Sequence, residues 1–196
     1  MYENQPQDNR NGLRNFVGAV AFVARSMAVS VEVFLHKTDS FGERYLGLQA
    51  GAALLIIFFW PVLCEPWHDP MPMLMFLLAY FAMCAAVRAR LALRRRRNLP
   101  QPHTRYTGTP RLMRFTGRMD EVKVKCMAEP LFTFAVGGVM LAVSPPLGGY
   151  LMCCALALMI SNGLADGYER ERARNMHDAY LEQRRAVERF RDLRRD

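Results

Sequence analysis

Residues 130–165 read PLFTFAVGGVMLAVSPPLGGYLMCCALALMISNGLA, 36 positions without one charged side chain. A helix that crosses roughly 30 Å of hydrocarbon needs about 20 predominantly apolar residues, with 17 near the lower limit. The run is too long for one such helix, and Ser144-Pro145-Pro146-Leu147-Gly148-Gly149 divides it with a strong turn signal. It reads as a hairpin of two apolar helices. The halves, 130–144 and 150–165, hold 15 and 16 residues. Fifteen residues rise only about 22 Å. The preferred reading is two short spans, the first starting near Cys126 with Glu129 at the interface and Lys125 reaching back to water. A re-entrant hairpin is the alternative, and both readings leave the flanks on one side.

Two further charge-free runs lie upstream, 45–64 with 20 residues and 70–87 with 18. They are joined by Glu65-Pro66-Trp67-His68-Asp69, which carries no Lys or Arg, and read as a first transmembrane hairpin over 45–87. All 26 Lys and Arg fall outside these segments: 5 in residues 1–44, 12 in 88–129 and 9 in 166–196. Basic residues near span ends stay on the cytoplasmic side, so the N-terminus, the central loop and the C-terminal tail are all expected there. Only Lys37, Lys123 and Lys125 are lysine. The arginine excess points to a GC-rich genome, hence a bacterial inner membrane. No cleavable signal pattern is visible, because Arg25 and Glu32 interrupt the first apolar region. The hydrophobic fraction of 52% is ordinary; its segregation from the charges is not. An ordinary soluble fold, a disordered chain and a disulfide-stapled secreted domain are excluded. The fold class is an all-α integral membrane protein.

Residues 1–12 are polar and expected to be disordered. From Leu13 to Leu35 the pattern turns helical, with Arg14, Arg25 and Glu32 within about 20° of one another at 100° per residue. Ser26 and Ser30 flank that face, and Phe16, Val17, Val20, Val23, Met27, Val31 and Phe34 fill the opposite one. Residues 13–37 therefore read as an interfacial helix lying in the membrane plane, with packing on the protein's own cytoplasmic part as the alternative. His36 reads as a solvated residue at its end, and Glu129 as the start of the third span. No Lys, Arg, Asp or His lies deep in the spans so assigned, which lowers the odds of a pump.

Helices in lipid associate through small residues that allow close approach. Gly47 with Gly51, and Gly138 with Ala142, have that spacing and are the expected packing positions. The basic loop 88–129 carries Arg94-Arg95-Arg96-Arg97, then Arg111 and Arg114 at helical spacing. These six arginines are the candidate contacts to anionic headgroups of the bilayer. Phosphate or nucleic-acid recognition is a weaker alternative, with His103-Thr104-Arg105-Tyr106-Thr107-Gly108-Thr109-Pro110 supplying the turn. No phosphate- or dinucleotide-binding glycine motif occurs, so no cofactor is expected. The five cysteines lack metal-ligand spacing, and His68 and His103 lack ligand partners. No metal site and no nucleophile–base set is expected.

The tail, residues 166–196, reads as a cytoplasmic helix. Ala173, Met176, Tyr180, Gln183, Val187 and Phe190 recur at intervals of 3 and 4, a coiled-coil seam with one polar position. Met176, Tyr180, Val187 and Phe190 would carry the association, with a copy of the chain or a partner protein; a plain solvated helix is the alternative. The expected function is non-enzymatic, a scaffold or accessory subunit of a membrane-bound assembly such as a secretion or DNA-transfer machine. A small oligomeric channel or transporter subunit, with Gln49, Ser161 and Asn162 along its path, is the alternative.

Overall fold

The computed structural model describes residues 7–42, 45–64, 69–98, 107–117 and 119–193. In chain order they form α1 (Gln7–Leu35), α2 (Leu48–Leu63), α3 (Met71–Arg96), a 3-10 turn (Arg111–Arg114), α4 (Glu121–Lys123), a π-helical turn (Val124–Ala128), α5 (Glu129–Leu141) and α6 (Pro145–Leu193). Helix dominates, and the one β feature among the described residues is an isolated bridge between His36 and Pro110. The chain divides into two compact units, Met1–Ser161 and Asn162–Asp196. The expected loop at Trp67 and His68, the turn at His103 to Tyr106 and residues 1–6 of the N-terminal tail lie outside the described residues, while residues 7–12, expected to be disordered, belong to α1.

Four helical stretches are long and apolar enough to cross a membrane: Arg14–Leu35, Met71–Arg96, Glu121–Leu141 and Pro145–Arg191. This set differs from the expected one at three places, the first being that Arg14–Leu35, expected to lie in the membrane plane, is long and apolar enough to cross. Charge-free length predicts a span over 45–64, but α2 starts only at Leu48 and has 16 residues, about 24 Å of rise. Tyr45 and Leu46 are drawn into the core instead of extending the helix. Conversely, the shortfall expected before Ser144 is removed, because helix begins at Glu121 and runs 21 residues to Leu141. The proline pair does not interrupt a helix. It opens α6, where a missing N–H costs nothing.

In the first unit α1 is the central helix. From Ala24 to His36 nearly every residue is buried, the apolar Ala28, Val29 and Val33 as well as the polar Ser26, Ser30 and Glu32. This overturns the interfacial reading: the face carrying Arg25 and Glu32 turns into the protein, while Phe16, Val17, Val20 and Val23 are exposed. Burial changes along the helix and not around it: Met27 and Val31, on the apolar face, are buried like Glu32, while residues 14–20 are exposed on every side. An amphipathic stripe fixes which residues share a face, not which medium that face meets. Here the surrounding helices expose apolar side chains, such as Leu55, Phe58, Leu74, Leu78 and Phe81, and Ser26, Ser30, Glu32 and His36 are buried within a largely apolar core.

The packing contacts follow the same logic. In α2 the buried positions are Ala50, Ala53 and Ile57, and in α3 they are Met73, Tyr80 and Val87. The Tyr80 hydroxyl donates to the Ala50 carbonyl at 3.3 Å. Trp60 Nε1 donates to the Pro146 carbonyl at 2.9 Å, and its ring meets Tyr150 edge-on at 5.3 Å. Phe76 bridges Tyr150 and Phe34, so α1, α2, α3 and α6 share one aromatic cluster. The small-residue positions expected to pack do not make these contacts. Gly47, Gly51, Gly138 and Ala142 are exposed, and Gly51 and Gly138 have open space where a Cβ would stand. The close approach is at Gly148, whose added Cβ would lie 2.5 Å from Leu141 N and 2.8 Å from Gly137 O. Gly137 completes it against Met152.

The second unit is the remainder of α6. It is a charged helix with ion pairs Arg170–Asp166 at 2.8 Å and Arg184–Glu188 at 3.2 Å.

Candidate functional site

A line of polar and ionisable side chains runs along the buried face of α1. Arg25, Glu32 and His36 are spaced 7 and 4 apart, which keeps them on one side over about 16 Å of rise. Arg25 Nη1 donates to Glu32 Oε1 at 2.7 Å and to Ser161 Oγ at 3.0 Å. The Tyr45 hydroxyl donates to the other Glu32 oxygen, and its ring lies 5.6 Å beneath the Arg25 guanidinium. A carboxylate without water needs its lone pairs filled, and Glu32 receives a charged donor and a phenol. Elsewhere on α1, Tyr150 donates to Ser30 Oγ at 2.8 Å, and Cys154 sits 3.6 Å from the same oxygen.

His36 closes the line. Its Nδ1 lies 2.7 Å from the Thr107 carbonyl, and its Nε2 lies 2.9 and 3.1 Å from the two oxygens of Glu129. A carbonyl only accepts, so Nδ1 carries a hydrogen. One further proton lies between Nε2 and the carboxylate, whichever of them holds it. Both side chains are essentially inaccessible, with 1% and 0% exposure. His36 is thus not a solvated helix end, and Glu129 is not an interfacial marker.

Local structure puts Glu129 there. The buried residues of this helix are Val124, Glu129, Pro130, Thr133 and Gly137, and Val124, Glu129, Thr133 and Gly137 among them follow one spacing of five and then spacings of four. The π-helical turn supplies the extra residue, with Glu129 N–H donating to the Val124 carbonyl. Such a turn rotates the register of the helix beyond it. The chain opposite is held by Gly108, whose φ of +96° suits glycine and whose neighbours leave 3.1–3.2 Å for a Cβ. Lys37 N–H donates to the Thr109 carbonyl, Thr109 N–H to Ser40 Oγ, and Arg111 Nε to the His36 carbonyl. Lys125, expected to reach water, donates to Thr107 Oγ1 and Glu121 Oε1 at 3.1 and 2.6 Å.

The expected anion contacts separate into distinct environments. Arg111 and Arg114 are exposed, but Arg111 is engaged with His36. Arg94 and Arg97 line an open cleft with Asp39, Arg90 and Leu93. Arg95 and Arg96 are exposed and do not line it. Within the second unit Met176, Tyr180, Val187 and Phe190 are exposed by 59%, 61%, 51% and 74%. Among the described residues no group of three His, Cys, Asp or Glu side chains is arranged to hold a metal ion.

Sequence reasoning misses the Glu32–Tyr45, His36–Glu129 and Tyr150–Ser30 pairings. The available signal is the shared face of Arg25, Glu32 and His36, which periodicity alone assigns to water. Comparison of the chain with protein-family models, with curated proteins and with solved structures gave no match.

Proposed function

We propose that the protein is a multi-pass, non-enzymatic membrane protein that serves as a scaffold or accessory subunit of a membrane-bound assembly. In this reading it sits in a bacterial inner membrane with both termini in the cytoplasm. The observation that carries it is the tail of α6. There a helix dominated by charge keeps Met176, Tyr180, Val187 and Phe190 exposed at heptad spacing. Burying such side chains gains roughly 1.5–3 kcal/mol each, and membrane tethering raises the effective concentration of a second helix. The helix addressed is that of another copy or of a partner subunit. Support for the membrane comes from the four apolar helices, and above all from α3, whose most apolar window is only 17% buried.

The double change Tyr180→Asp with Val187→Asp tests the reading, because it charges the seam and leaves the first unit untouched. Normal membrane insertion is expected, with loss of the oligomer or co-purifying subunit in crosslinking and size-exclusion chromatography. Unchanged assembly would sink the scaffold reading.

A second reading, a small channel or transporter subunit, is favoured by one observation. Glu32, His36 and Glu129 are ionisable groups buried among apolar helices, with Arg25 partly buried beside them, where such residues commonly mark ion or proton paths. Proton flux into liposomes holding the purified protein, abolished by Glu32→Gln, would promote it. Liposomes no leakier than empty ones would remove it.

A further inference from the structure

We propose that the cleft at the end of α3 is a stoichiometric site for a phosphate group, and that its occupant is the headgroup phosphate of an anionic lipid. The cleft has a volume of about 360 Å³ and is lined by Asp39, Arg90, Leu93, Arg94 and Arg97. Arg90, Arg94 and Arg97 are spaced 4 and 3 apart, so their guanidinium groups emerge on one face of the helix. Arg90 is pinned from across the cleft, donating to Thr38 Oγ1 and, at 3.0 Å, to Asp39 Oδ1. The guanidinium groups of Arg94 and Arg97 make no hydrogen bond or ion pair to another described residue. Three guanidinium groups therefore face one carboxylate. The surplus of two positive charges matches a phosphomonoester dianion and exceeds a phosphodiester by one. Guanidinium groups bind phosphate oxygens in pairs of parallel hydrogen bonds, and two of the three have donors to offer.

Depth selects the source of the phosphate. The last residue of the charge-free run in α3 is Val87, and Arg90 to Arg97 stand 3 to 10 residues beyond it. That is about 4.5–15 Å along the helix axis, starting in the layer where headgroups lie outside the hydrocarbon. Leu93, 51% exposed between the arginines, offers an apolar floor for the glycerol end of a lipid. The site is thus more specific than general attraction of a polybasic run to a negative leaflet. It rests on the membrane reading proposed above, and the experiment separates the two.

The full-length protein is reconstituted in nanodiscs of neutral phosphatidylcholine doped with phosphatidic acid or phosphatidylglycerol, and bound lipid is counted by native mass spectrometry. The wild type is expected to retain one anionic lipid per chain. Arg94→Gln with Arg97→Gln is compared with Arg95→Gln with Arg96→Gln, which removes the same charge from the same run but from outside the cleft. Both pairs weaken the diffuse attraction equally. The cleft pair is expected to lower retention by a further factor of about ten, with helical content and thermal unfolding matching the wild type. Equal losses in the two double variants would overturn the site. In a parallel arm with undoped discs, inorganic phosphate is added by itself. Binding there that is lost in the cleft pair, without retention of anionic lipid, would support the phosphate site and overturn the lipid as its occupant. Recovery of the chain in the soluble fraction of cells would sink the membrane reading, and the phosphate arm would then decide the site independently.

Discussion

The imidazole of His36 has one nitrogen committed to a backbone carbonyl, so what position 129 offers to the other nitrogen decides whether the ring is satisfied. Removing one partner of a buried pair costs about 3–5 kcal/mol, mostly as the penalty of leaving the other stranded. Glu129→Ala should therefore destabilise the first unit by that order. Glu129→Gln should cost less, about 1–2 kcal/mol, because its amide can donate to the lone pair of a neutral ring. Thermal unfolding of the detergent-solubilised protein should give the order wild type, Gln, Ala. An Ala variant as stable as the wild type would mean that the pair holds nothing together. The same scale explains why Arg25 and Glu32 tolerate burial. Each finds a polar partner beyond the other, Ser161 for the guanidinium and Tyr45 for the carboxylate.

Between α5 and α6 the turn is tight, and one glycine sets the distance between the helices. Gly148→Ala would place a methyl group 2.5–2.8 Å from backbone atoms of Leu141 and Gly137, which cannot rotate away. Overpacking of this kind costs about 1–3 kcal/mol and should separate the two helices. Gly138→Ala, with nothing within 4 Å, should be neutral or stabilising by up to about 1 kcal/mol through helix propensity. Thermal unfolding of the two variants in detergent checks the pair of predictions. Equal effects would show that the small-residue spacing, and not the contact, governs the hairpin. The π-helical turn is the other device at this scale. One inserted residue changes which side chain of a helix meets the core, and here it brings Glu129 to His36.

For the whole molecule, charge distribution makes the broadest prediction. All 26 basic residues fall in three segments outside the charge-free runs. If they share one side, reporters fused at residues 1, 105 and 196 should read cytoplasmic and one at Trp67 should read external. Because Arg14–Leu35 is a fourth candidate crossing and α2 is too short to be one, the reporter at residue 1 is the informative one. A cytoplasmic residue 1 requires an even number of crossings before residue 105. With α2 not crossing, a cytoplasmic residue 1 means that α1 and α3 both cross, and an external one would mean that α3 crosses alone and that the basic count of the N-terminal segment does not set its side.

Properties local to the chain were legible in the sequence alone. Apolar length and charge segregation marked an all-helical chain and three of its four candidate membrane spans, missing Arg14–Leu35, and the run at Arg94–Arg97 marked a basic end of α3. Each depends only on neighbours within a few turns. The tertiary structure decided the direction of the polar face of α1, the partners of Glu32 and His36, and which glycine is the close contact. These depend on residues far apart in sequence, such as the 93 positions between His36 and Glu129. Periodicity groups side chains on a face, but the free energy of a face depends on what is packed against it. With apolar side chains turned outward over most of the first unit, the interior became the place where buried charges could find one another.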